Sequence, residues 1–269
     1  MTTDDALEDD PNVPDSGGMP PCKAARVLAL LDASRHSLGA LEAAVEVASQ
    51  GQTELVALYV EDVDLLTCAA FPFSCEIGAQ TGLPRPLSPA SLETSIARQL
   101  QRVHRALALA VAGRSLPHRL EVARGQVAAA ALTMAGPNDL LVLGKAGTTE
   151  RWGTRLGSTS RQLIMKAPCT VLLWDERRPF KRGPLRWLDN ATGAKGNAGH
   201  VTSPGMAEWV SALFETGTPL SLCRASELSR RLAHADAGGL LLHRHELEYL
   251  LNEDAEWLAR VPLPILVVP

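Results

Sequence analysis

The sequence predicts an α/β fold, a parallel β-sheet with helices on both faces. Short unbroken aliphatic runs such as residues 27–31 and 140–143 are the mark of strands buried on both sides. Amphipathic helical segments alternate with those runs at short connections, which is how a parallel sheet is wound. A chain of 269 residues, 46% hydrophobic but only 4% aromatic, can close an aliphatic core without disulfides. In such sheets ligands sit at the carboxyl ends of the strands, so chemistry is sought there.

Residues 1–22 are acidic, rich in Asp, Pro and Gly and poor in apolar side chains, and are expected to be a disordered arm. The first strand starts at Arg26 and ends at Asp32. Ser37 is expected to cap the helix that follows, in which Leu38, Leu41, Ala44 and Val45 share a face and Gly51 ends the run. Residues 55–60 form a second strand. The stretch 61–89 carries four prolines, Cys68, Cys75, Phe71 and Phe73, and reads as a mobile flap or docking loop. A long helix over 91–113 puts Leu92, Ile96, Leu100, Val103, Leu107 and Val111 on one stripe. Strand 118–123, helix 126–135, strand 139–144, helix 158–166 and strand 170–174 complete a first unit over residues 23–177.

Residues 178–204, rich in Gly, Pro, Lys and Asn, read as a linker. Beyond them, helix 206–215, strand 219–223, helix 226–235, strand 239–243, helix 247–260 and strand 264–268 make a shorter α/β half over 205–269. Its end echoes the first unit: 239–243 beside 139–144, and Val261-Pro262 beside Ala167-Pro168. Gly144 and Pro168 are 24 positions apart, whereas His243 and Pro262 are 19 apart with no glycine between them. The second half is therefore expected to be a degenerate copy that has lost a loop.

That loop is the sharpest feature of the chain. Gly144-Lys-Ala-Gly147, nine residues, then Gly157-Ser158 at a helix start form a G-x2-G-x9-G-[S/T] pattern. A helix N-terminus offers unpaired N–H groups and partial positive charge, glycines admit a phosphate close to the backbone, and Ser158 adds a hydroxyl. Arg151, Arg155 and Arg161 lie in or just after the loop, where one of them is expected to meet phosphate oxygens. Asp32, at a strand end, has the alternative reading of a turn or capping residue.

The segment Leu-Leu-Asp32-Ala-Ser-Arg-His-Ser37 together with Gly144-x2-Gly147-x9-Gly157-Ser158 resembles the universal stress protein family, over residues 24–175. The resemblance implies an adenine-nucleotide alpha-hydrolase-like, Rossmann-like fold, and, with the full glycine pattern present, membership of the subgroup that binds ATP, with or without Mg2+. By position it implies that Asp32 and Val60 face the adenosine end, that Leu143 lines the base pocket, and that Gly144, Gly147, Gly157, Ser158 and Thr159 hold ribose and phosphates. The chain departs from the family at Lys145, where small polar residues are common, and at Leu30, where proline or alanine is common. Lys145 is expected either to help neutralise phosphate or to be solvated. In the family, domains commonly pair through the last strand, which implies an intramolecular pseudo-dimer of the two halves or a homodimer.

Other classes are disfavoured. The formal charge of −4 becomes about +2 once the six acids before Pro20 are set aside, which leaves no basic surplus for nucleic acid. No apolar window is long enough for a membrane span, and the acidic opening is unlike a signal peptide, so the expected location is cytoplasmic. Five scattered cysteines suggest neither a disulfide framework nor a zinc site. His243 and His245 lack a third metal ligand at useful spacing, and the five tryptophans are too dispersed to form a stacking platform. His36 has only Asp32 as a nearby carboxylate, and no nucleophile–base–acid set can be assembled.

The expected function is thus nucleotide-dependent regulation in a stress response, by binding rather than catalysis, toward a protein client the sequence does not identify. The alternatives are an ATP-using enzyme, whether a slow ATPase, a self-phosphorylating protein or an adenylating enzyme, and a nucleotide-free interaction scaffold. Adenylation in the related pyrophosphatase-like fold uses an S-G-G-x-D-S loop after the first strand, where this chain has Asp32-Ala-Ser-Arg-His-Ser37.

Overall fold

A computed structural model describes residues 26–78, 81–145, 156–176, 180–189, 210, 213–221 and 224–269. The acidic arm, Gly147, Arg151, Arg155, Cys22, Cys223, Trp152, Trp209 and most of the helix expected over 206–215 lie outside them.

The chain runs β1 (Arg26–Leu31), α1 (Arg35–Gly51), β2 (Glu54–Asp62), α2 (Val63–Ala69), β3 (Cys75–Ile77), β4 (Pro84–Pro86), α3 (Pro89–Val111), β5 (His118–Gly125), α4 (Val127–Met134), β6 (Leu140–Gly144), α5 (Ser158–Lys166) and β7 (Thr170–Trp174). It continues with β8 (Pro184–Asp189), β9 (Glu215–Ser221), α6 (Ala225–Leu232), β10 (Gly239–His243), α7 (Arg244–Glu253), α8 (Trp257–Arg260) and β11 (Ile265–Val268). Nine strands form one sheet in the order β5-β2-β1-β6-β7-β11-β10-β8-β9, and β3 with β4 makes a separate hairpin. Every pairing in the large sheet is parallel except β7 with β11, where Leu172 lies opposite Leu266.

Because both faces are covered, strand residues alternate between two cores rather than between core and water. Val27, Ala29 and Leu31 of β1 join α1 and α3 on one face, while Leu28 joins α4 and α5 on the other. Both cores continue past β7: Leu241 and Leu266 belong to the first, and Leu242, Ile265 and Trp257 to the second. At the amino end of the sheet, Arg26 reaches across to Asp139 at 2.8 Å and fixes the start of β1 beside β6.

Several elements differ from their sequence reading. Ser34, not Ser37, caps α1: the Ser37 N–H donates to the Ser34 hydroxyl at 3.2 Å. Gly51 is the last helical residue, and Gln52 takes the left-handed position that ends the helix, at φ 48°. The helix expected from residue 91 starts at Pro89, whose fixed φ suits a first helical position, with Ser88 as its cap. The flap is not a bare loop, since it contains α2 and the β3–β4 hairpin. Inside the expected linker, Pro184–Asp189 form β8, whose prolines and charged residues mask the strand pattern.

Candidate functional site

The order of the sheet places its topological switch point at the carboxyl ends of β1 and β6. From β1 the chain winds outward to β2, and from β6 it winds the other way to β7, so the connections leave the two neighbours on opposite sides. Asp32, just beyond β1, and Gly144, at the end of β6, both fall there.

Asp32 is exposed and shapes the turn into α1. Its Oδ1 accepts the Ser34 N–H at 2.9 Å, its own N–H donates to the Ser37 hydroxyl at 3.2 Å, and Ala33 between them sits at φ 60°. The turn alone accounts for one carboxylate oxygen. Val60 and Leu143, 8% and 2% exposed, belong to the core face shared with α4 and α5. Gly144 has a packing reason to be glycine: a Cβ there would stand 2.8 Å from the carbonyl of His36 in the first turn of α1.

Gly157 is different. At φ −59° its backbone suits any residue, and among the described residues a Cβ would meet nothing nearer than 4.0 Å, so none of them demands glycine there. It stands at the N-cap of α5, and among the described residues no side chain caps that end. The first-turn amides of Ser158, Thr159 and Ser160 have no intrahelical acceptor, because the first such bond runs from the Arg161 N–H to the Gly157 carbonyl. Hydroxyl side chains at all three positions add donors. Among the described residues nothing occupies this helix N-terminus, an arrangement suited to an anion. Arg161 is exposed on the same helix.

Lys145 is not solvated. It is 2% exposed, its N–H donates to the Trp174 carbonyl, and its Nζ donates to the carbonyls of Val261 and Leu263, both at 2.6 Å. His36 also has a partner that its neighbourhood in sequence conceals, for its Nδ1 pairs with Glu176, 140 residues away. No local pattern announces either contact.

The second half treats the matching helix end differently. At the start of α7 the Glu246 carboxylate, 4% exposed, turns back to accept the His243 N–H at 2.8 Å. A negative group of the chain itself occupies the N-terminus. The His243 and His245 rings stack at 5.6 Å, and among the described residues no group of three or more His, Cys, Asp or Glu is placed to hold a metal. Two cavities, of about 260 and 310 Å³, open beside Trp174 and Phe180, and among the described residues neither is lined by one of the expected nucleotide site. Among the described residues no helix is long and apolar enough to cross a membrane.

The fold is that of an α/β protein with a Rossmann-like sheet. The profile of the Universal stress protein family matches residues 24–174, and the chain belongs to that family. Among solved structures, the universal stress protein UspA from Lactobacillus plantarum shares 25% identity over 56% of this chain and 97% of its own, with a TM-score of 0.44. A universal stress protein from Archaeoglobus fulgidus covers 91% of this chain and 98% of its own at 12% identity and a TM-score of 0.55, a likeness of fold that reaches across β7 into the second half. No curated protein matches the sequence.

Proposed function

We propose that the chain is an ATP-binding regulatory module of the stress response, cytoplasmic, in which residues 23–177 carry the nucleotide and the second half serves as a built-in partner without a site of its own. The observation that carries this reading is the N-terminus of α5, where among the described residues no side chain caps the helix and no packing requires glycine at Gly157, set against the N-terminus of α7, which Glu246 already occupies. ATP, alone or with Mg2+, supplies the phosphates that the amides and hydroxyls of Ser158 and Thr159 would hold, at the far end of the loop that begins at Gly144 and includes Gly147. Asp32 keeps a carboxylate oxygen for ribose, and Val60 and Leu143 give the apolar floor toward the base. Binding rather than turnover is the proposed activity, a reading supported by His36, the imidazole nearest Asp32 in sequence, being 2% exposed and engaged by Glu176.

The test is identification of nucleotide released when the purified protein is denatured, with ATP titration by calorimetry for wild type and Gly157→Val. Among the described residues the valine's Cβ meets no clash, and a thermal melt matching wild type shows that loss of binding reports on phosphate approach and not on misfolding. Expected are a measurable ATP affinity in wild type and at least a tenfold loss in the variant, the scale of one or two strong anion hydrogen bonds. No bound nucleotide and no heat at several temperatures would leave a scaffold whose glycine pattern is idle.

A further inference from the structure

Lys145 has a counterpart. It is the first residue after β6, and its ammonium crosses to the Val261 and Leu263 carbonyls, which lie on the approach to β11. Arg244 is the first residue after β10, and its guanidinium crosses the other way, donating to the Ala167 carbonyl at 2.6 Å and the Ile164 carbonyl at 3.3 Å at the end of α5. When Gly144 is matched with His243 and Pro168 with Pro262, Lys145 corresponds to Arg244 and Ala167 to Val261. The two contacts are thus reciprocal, as a two-fold interface requires.

The chemistry of each acceptor suits a cation. Val261 and Leu263 each precede a proline, which holds the backbone extended, and the intervening prolines have no N–H. Their carbonyls are two residues apart, and one ammonium bridges both. An ammonium enclosed to this degree is costly to desolvate unless charge-assisted bonds compensate, and two short ones do. Arg244 meets the carboxyl end of a helix, where unpaired carbonyls and the helix dipole favour positive charge.

Between Lys145 and Ala167 in the sequence lies all of α5, whose first turn is assigned above to phosphate. The second half grips this stretch at both ends. We propose that Lys145 and Arg244 are positioning residues that make nucleotide affinity in the first half depend on the docked second half. The proposal rests on the ATP-binding reading. By reciprocity, nucleotide held between the two clamps also tightens the segment that Lys145 grips.

The experiment uses the full chain. ATP affinity is measured by calorimetry for wild type, Lys145→Met and Arg244→Gln, and hydrogen exchange of peptides spanning residues 258–268 is followed with and without saturating ATP. Arg244→Gln is the telling variant, since Arg244 belongs to the second half and is assigned no contact with nucleotide. Expected are an affinity loss of about tenfold in each variant, within the usual range of site-to-site coupling. ATP is also expected to slow exchange at 258–268 in wild type, an effect that disappears in Lys145→Met. Wild-type affinity in the Arg244 variant, or no ATP effect on 258–268 in a wild type that does bind ATP, overturns the coupling and leaves the binding reading intact. A wild type that binds no ATP overturns both. Should Lys145→Met fail to fold, the wild-type exchange and the Arg244 variant still decide.

Discussion

Burial sorts the described cysteines into two chemistries. Cys169, fully enclosed ahead of β7, has its thiol pushed up to about 11 by burial, whereas Cys68 and Cys75 are exposed on the flap. The thiolate is the reactive form. Iodoacetamide at pH 8 is therefore expected to label Cys68 and Cys75 readily and Cys169 only on unfolding, as peptide mass spectrometry will show; equal labelling of all three would contradict the enclosed site. The folded value lies above the ~8.5 of an unfolded thiol. Stability from this group is whole below about pH 8.5 and falls as the pH rises toward about 11, because only the unfolded chain releases the proton easily. The candidate site is legible in sequence to a similar, residue-dependent degree. Asp32, Gly144 and Gly157 stand out because strand ends and glycine spacing are local signals. The destination of Lys145 is not local: its acceptors lie 116 and 118 residues away, and a lysine in a glycine-rich loop looks solvated until β11 is docked. Gly144 carries a further lesson, since the spacing that suggests phosphate also serves the close passage of α1.

Between β2 and α3 the chain makes elements with little to bury. Phe73 is 92% exposed and Ile77 72%, and the β3–β4 hairpin is separate from the large sheet. Segments with few buried contacts open at low free energy, so this is where ligand-dependent ordering is cheapest. With ATP bound, amide exchange across residues 63–86 is expected to slow several-fold; identical exchange with and without ATP would mean that the flap is not the switch. Short β3 and β4 escape a sequence reading because prolines and exposed side chains erase any alternation. The strand β8 hides for a related reason, its Pro184, Arg186 and Asp189 breaking up an aliphatic run that tertiary pairing with β10 nevertheless sustains. By contrast α5, β7 and β10 are readable to the residue, because each is a clean period bounded by strong signals.

Across the whole molecule, the order β9-β8-β10-β11 repeats that of β2-β1-β6-β7, and the two sets meet back to back at the antiparallel pair β7–β11. Leu172 and Leu266, which correspond when Pro168 is matched with Pro262, face each other across that seam, so each half presents the same edge to the other. An aliphatic edge of this kind invites pairing wherever it is left open. Removing residues 178–269 uncovers β7, whose Val171, Leu172 and Leu173 are fully buried in the intact chain, and leaves the Ala167 carbonyl without Arg244. The truncated chain is expected to restore the seam with a second copy of itself, and light scattering should report twice the monomer mass or larger aggregates. The full chain, with its edge already satisfied, should show no association through β7 at the same concentration. A well-behaved monomer on truncation would mean that the second half covers β7 without being required to, and would remove the structural basis for treating it as a built-in partner.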